Sequence, residues 1–138
     1  MKFPSVLLLM TLLAFCGCDS SPKRIPVGGT VMVKGKPAEG AVLMFFPSDP
    51  KITTASAVAE TDGTFKVFSD GEAGLVVGKY QVTISWPDPT KKPTQAQMMM
   101  GTGELGPDLL KGKYSSKDTS TLSVEITPTS KTLPPFEL

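Results

Sequence analysis

The sequence predicts an all-β domain built as an antiparallel β-sandwich, and three observations carry that prediction. From Val27 onward the apolar residues recur at every second position rather than every third or fourth, the period of a pleated strand. The runs are short and set apart by turn residues, with 13 Gly and 13 Pro among 138 residues. No stretch of the body carries a convincing helical stripe, so each half-buried face needs a second sheet to press against.

The chain opens differently. Lys2 precedes the apolar run from Val6 to Cys16, and Gly17-Cys18 follows, the layout of an export signal with a charged start and a short greasy centre. The run falls short of the roughly 20 residues that a bilayer-spanning helix needs. Phe15-Cys16-Gly17-Cys18 resembles the lipobox of bacterial lipoproteins, in which a small residue precedes a cysteine that takes a diacylglycerol and becomes the new N-terminus. That resemblance makes residues 1–17 a lipoprotein signal peptide and Cys18 the lipidation site. It implies a chain that is extracytoplasmic and lipid-anchored to a bacterial cell membrane, inner and outer both open. Cys16 fits less well because bulky Phe15 stands just before it, although Phe15 itself departs from the leucine usual three residues before the modified cysteine. A plain secretory signal is the competing reading. Cutting before Cys18 leaves one thiol, already carrying lipid, so stability has to come from a core without a disulfide. Residues 18–26, polar and broken by Pro22 and Pro26, read as a lipidated tether.

The sandwich domain is expected over residues 27–138. Val27, Gly29, Val31 and Val33 point inward from a first strand, and residues 35–40 form a turn. Ala41, Leu43 and Phe45 continue an inward face. Val42, Met44 and Phe46 make the opposite face apolar too, which marks a strand covered on both sides or a contact surface. Residues 53–60 form a third strand whose buried face the pattern leaves undecided. Thr61-Asp62-Gly63 is a tight hairpin turn into a fourth strand over 64–68. Gly78 opens a fifth, with Tyr80, Val82, Ile84 and Trp86 on one face and Pro87-Asp88-Pro89 as its stop. Residues 119–127 repeat the alternation with Leu122, Val124 and Ile126 inward, and Phe136 and Leu138 offer a last short strand. The intervening loop, residues 87–118, is long enough to be either functional or disordered. Leu109, Leu110 and Tyr114 are expected to dock its second half, with 90–104 mobile.

Val27-x-Gly29-x-Val31, Gly35-Lys36-Pro37-x-x-Gly40-Ala41, Phe45-x-Pro47, Thr61-Asp62-Gly63-x-Phe65 and Gly78-x-Tyr80-x-Val82 occur in that order. Lys113-Tyr114-Ser115, Thr119-Ser120-x-Leu122 and Phe136-Glu137-Leu138 follow. Together these features resemble a family of small planctomycete-type lipoproteins with a transthyretin-like domain, related to carboxypeptidase regulatory-like domains. The resemblance implies a transthyretin-like (prealbumin-like, Ig-like) sandwich of seven or eight strands. It also implies an accessory or adhesive role, with no zinc ligands and no peptidase chemistry. The related 5-hydroxyisourate hydrolases rely on histidines and a C-terminal Tyr-Arg-Gly-Ser, whereas this chain has no His and closes with Pro134-Pro135-Phe136-Glu137-Leu138. Intradiol dioxygenases hold iron with Tyr and His, and only Tyr80 and Tyr114 exist here.

Composition narrows the chemistry further. A chain without histidine lacks the Ser/His/Asp and Cys/His nucleophilic arrangements and the usual zinc sets. Basic and acidic residues number 14 and 13, and Lys91-Lys92 is only a solvated pair in a Pro-rich loop, so nucleic acid is not an expected partner. Gly101-x-Gly103-x-x-Gly106 matches the dinucleotide fingerprint in letters alone, because it follows Met98-Met99-Met100 in a loop and runs into Pro107. The three methionines offer soft sulfur suited to Cu(I). Successive side chains diverge, however, and no Cys or His joins them, so Met98, Met99 and Met100 read as an exposed contact patch. Ser20-x-x-Lys23 has the spacing of a Ser-Lys pair but lies in the tether, with nothing to desolvate the lysine. Asp49, Asp62, Asp70, Asp88 and Asp118 fall in turns, where Asp is the ordinary residue, and no D-x-D-x-D run marks a calcium loop. Trp86 and Tyr80 would stack on sugars only if exposed.

The expected function is therefore a membrane-anchored, non-catalytic binding or structural module of the cell envelope, without cofactor or metal. It contacts protein or glycan through its loops and through Val42, Met44 and Phe46. Two other classes stay open: a hydrolase built on two of those aspartates in one cleft, and an envelope protein that self-assembles through the outer face of the second strand.

Overall fold

The computed structural model describes residues 22–138; Cys16, Cys18, Ser20 and the rest of the signal segment lie outside the described residues. Strand segments are β1 (Arg24–Ile25), β2 (Gly28–Val33), β3 (Lys36–Pro37), β4 (Val42–Pro47), β5 (Ala55–Val58) and β6 (Thr64–Lys66). They continue with β7 (Phe68–Ser69), β8 (Glu72–Ala73), β9 (Leu75–Val76), β10 (Gly78–Ser85), β11 (Leu122–Ile126) and β12 (Phe136–Glu137). The chain is all-β in character, with largely antiparallel sheets, none of them closed. One six-stranded sheet runs β11-β10-β4-β5-β7-β8, a second is built around β2 with β12, β3 and β6, and β1 pairs with β9.

Alternation decides which side chains are buried. Ala41, Leu43 and Phe45 are inaccessible to solvent, as are Val82 and Ile84 on the neighbouring strand, where Val82 faces Phe45 and Ile84 faces Leu43. The undecided third strand buries Ala55, Ala57 and Ala59. The Phe65 ring lies between Phe45, at 6.2 Å, and Phe136, at 6.1 Å, and so joins the inner faces of both sheets in one core. Position 29 is a glycine on the inward face because that ring covers it. A Cβ there would stand 2.7 Å from a Phe65 ring carbon.

Several expected elements differ from those observed. The turn expected over 35–40 is a two-residue hairpin at Lys34 and Gly35, both at positive φ (49° and 76°), as the twist of flanking strands favours, and Lys36–Pro37 already pairs back on β2. The tight turn at Thr61-Asp62-Gly63 does form, closed by the Glu60 N–H on Thr64 O at 2.7 Å. The strand after it is split, however: β6 pairs with β2 whereas β7 pairs with β5, so the chain changes sheets at Val67. The last strand is parallel to β2, not antiparallel, because the chain returns along β2 through the Gly28–Thr132 bridge. Arg24 and Ile25, expected in the tether, pair with Val76 and Leu75. Arg24 is held there by ion pairs to Glu72 (2.6 Å) and Asp70 (3.2 Å).

Candidate contact surface

The long loop is fixed to the far end of β10 at both of its legs. Asp108 does most of this: its carboxylate accepts from the main-chain N–H groups of Trp86 (2.9 Å), Leu110 (3.0 Å) and Gly112 (2.9 Å). Leu109 N–H donates to Trp86 O at 2.8 Å, and Ile84 N–H donates to Tyr114 O at 2.8 Å. Trp86 is half-buried, and its indole N–H donates to Glu39 O at 2.9 Å. Of the three residues expected to dock on the core, Leu110 and Tyr114 do, whereas Leu109 stays exposed.

Residues 90–104, expected as a mobile stretch, begin within a 3-10 turn (Pro89–Lys91) and contain a short helix α1 (Gln95–Met99). Thr94 and Gln97 cap α1 reciprocally, the local signal that outweighs the missing helical stripe. No residue of α1 is buried. Met98, Met99 and Met100 accordingly stand in solvent, Met99 at 83% exposure, with Leu105 beside them in the chain at 67%. Met98 and Leu105 also line a cleft of about 260 Å³ with Pro87, Pro89, Pro93 and Gly40. Gly101, Gly103 and Gly106 follow α1 in irregular backbone.

Val42, Met44 and Phe46 are half-buried on the outer face of β4, on a different element from the methionines. Residues 117–120 fold over one flank of that face: Lys117 Nζ lies 5.1 Å from the Phe46 ring centre, and Gln81 Nε2 donates to Lys117 O at 2.6 Å. The other flank, Val58 and Phe68, is exposed. Val42 pairs with Val58, so this flank and β4 share one outward face.

The aspartates serve turns. Asp49 accepts from Lys51 N–H, Asp62 from the N–H and hydroxyl of Thr64, and Asp88 from those of Thr90. Asp70 pairs with Arg24, and Asp118 is exposed in the turn before Ser120. The threonine hydroxyl, then the backbone N–H, holds each of the Asp62 and Asp88 carboxyls below its ordinary value. Tyr80 is fully buried, with its O–H donating to Val76 O at 2.9 Å, and burial pushes its phenol up. Among the described residues, no three Asp, Glu, Cys or His side chains gather around one point.

One feature has no local signal in the sequence. A trough of about 380 Å³ opens beside Trp86, with Val33, Leu109, Leu110 and Tyr114 as its walls and Lys34, Lys36 and Lys113 around them. Its residues come from the 33–36 hairpin of β2 and β3, from Trp86 just after β10, from the long loop and from Leu138 after β12, so only the fold assembles it. No protein-family model matches the chain, and neither a curated protein nor a solved structure shows a significant match.

Proposed function

We propose that this chain is an extracytoplasmic lipoprotein tethered to a bacterial membrane through Cys18. Its transthyretin-like sandwich of seven or eight principal strands acts as a non-catalytic envelope module that contacts another protein or a glycan. The reading is supported by the polarity of the molecule. Arg24 and Ile25 pair beside the start of β10, whereas the long loop is fixed at its other end. The eight residues of β10, at about 3.3 Å each, set these ends roughly 25 Å apart.

The observation that carries the reading is the exposure of Met98, Met99 and Met100 at the end away from β1, because flexible thioether side chains suit contact surfaces and solvated ones otherwise gain nothing. A photo-crosslinking amino acid placed at Met99 in cells tests it, with Glu125 on the edge strand β11 as the comparison site. A discrete adduct from position 99 that is absent from position 125 is expected. Equal or absent labelling at both positions contradicts the reading.

The exposed flank at Val58 and Phe68 favours a second reading, self-assembly through the outer sheet face. Sedimentation at high protein concentration separates the two: a monomer rules out assembly, and a dimer lost in V58S/F68S establishes it.

A further inference from the structure

We infer that the trough beside Trp86 docks a short acidic peptide segment of a partner protein, with an apolar side chain seated inside and carboxylates on the lysine rim. The inference rests on the binding-module reading and names its partner chemistry. Charge points to it first. The ion pairs among the described residues are Arg24 with Asp70 and Glu72, and Lys92 with Glu39. None engages Lys34, Lys36 or Lys113, so three ammonium groups surround one concavity without an acidic partner among those residues. The Asp108 carboxylate, next to this wall, is already taken up by the main-chain N–H groups of Trp86, Leu110 and Gly112. Lys113 is held with its Nζ 4.9 Å from the Tyr114 ring centre, which fixes one of the three donors at the wall.

The walls point the same way. Val33, Leu109 and Leu110 offer hydrocarbon, and the Trp86 indole N–H is already committed to Glu39 O. A sugar ring seated there would bury hydroxyls with few partners, a cost that an apolar side chain avoids. Leu109, 44% exposed, is apolar surface that such a side chain would cover. Position agrees with both. The trough lies at the Trp86 end of β10, away from β1, and therefore faces away from the membrane to which Cys18 would tether the chain. The chain's own lipid surface is the wrong occupant.

The test uses the full chain in zwitterionic detergent and a fluorescein-labelled peptide, EEFEE, read by anisotropy. Saturable binding is expected, weakened about tenfold in K36E/K113E, weakened comparably for the neutral peptide QQFQQ, and falling with added salt. L109S is expected to weaken binding severalfold, and M99S to leave it unchanged. If the charge-reversed variant loses its β-type circular dichroism, K36Q/K113Q and the salt titration take its place, with weakening again expected. Absence of saturable EEFEE binding overturns the inference, as does equal affinity in a folded charge variant. Tighter binding of oligogalacturonate than of EEFEE also overturns it, in favour of a glycan. Anchoring is read separately, by intact mass: an unlipidated chain that binds EEFEE keeps this inference, and a lipidated chain that does not bind loses this inference alone.

Discussion

At Gly63 the backbone turns with φ at +78°, and a Cβ there would meet Val31 O at 2.6 Å and the Pro37 side chain at 3.1 Å. Conformation and space both exclude a side chain, so Gly63→Ala is expected to cost about 1–3 kcal/mol in urea unfolding. Gly101→Ala is the control. Its φ is also positive, at +68°, but nothing lies within 4 Å, so only backbone strain of about 1 kcal/mol remains. Asp62 supplies a pH test at the same scale. Its folded carboxyl titrates below the ordinary 3.8 because the Thr64 hydroxyl and N–H donate to the carboxylate. A lowered folded value means that the contribution to stability is complete above about pH 4 and is lost as pH falls through the folded value. In Thr64→Val the Asp62 midpoint, followed by carboxyl NMR, is expected to move up towards 3.8, with the backbone N–H keeping part of the depression.

Elements depend on a few shared groups. Phe65 sits on β6, the short strand just before the chain changes sheets, and its ring touches the core contributions of β4 and β12. Phe65→Ala is therefore expected to cost about 3–5 kcal/mol by chemical denaturation, the upper range for a buried aromatic. The long loop depends on Asp108 instead. Asp108→Ala removes the acceptor for three main-chain N–H groups, so hydrogen exchange is expected to speed up at Leu110 and Gly112 while Val82, deep in β10, stays protected. Strands long enough to alternate were legible in the sequence: Leu43, Phe45, Tyr80, Val82 and Ile84 all point where the period of two puts them. Two-residue strands such as β9 were not, because so short a segment has no period and its pairing is decided by a distant partner, here β1. The helix α1 was hidden for a related reason. Its face is exposed all round, so its only signature is the Thr94–Gln97 cap. The methionine patch was legible from the run of three methionines, whereas the lysine-rimmed trough was not, since four separate stretches of chain build it.

At the scale of the whole molecule, the proposed function gives the two ends of β10 different work. One end receives β1 and, through it, the segment that leads back to Cys18; the other carries Trp86, the trough and the exposed methionines. Opposite charges nearly cancel, 14 against 13, so long-range attraction to an anionic surface contributes little and the proposed attachment rests on acyl chains, at about 0.8 kcal/mol per buried methylene. The proposed anchoring at one end and contact at the other require the lipid on Cys18. The intact mass of the protein recovered from membranes tests this most directly. The account predicts a chain that begins at Cys18 and carries the mass of diacylglycerol, absent in Cys18→Ser; a full-length chain or an unmodified Cys18 would contradict it.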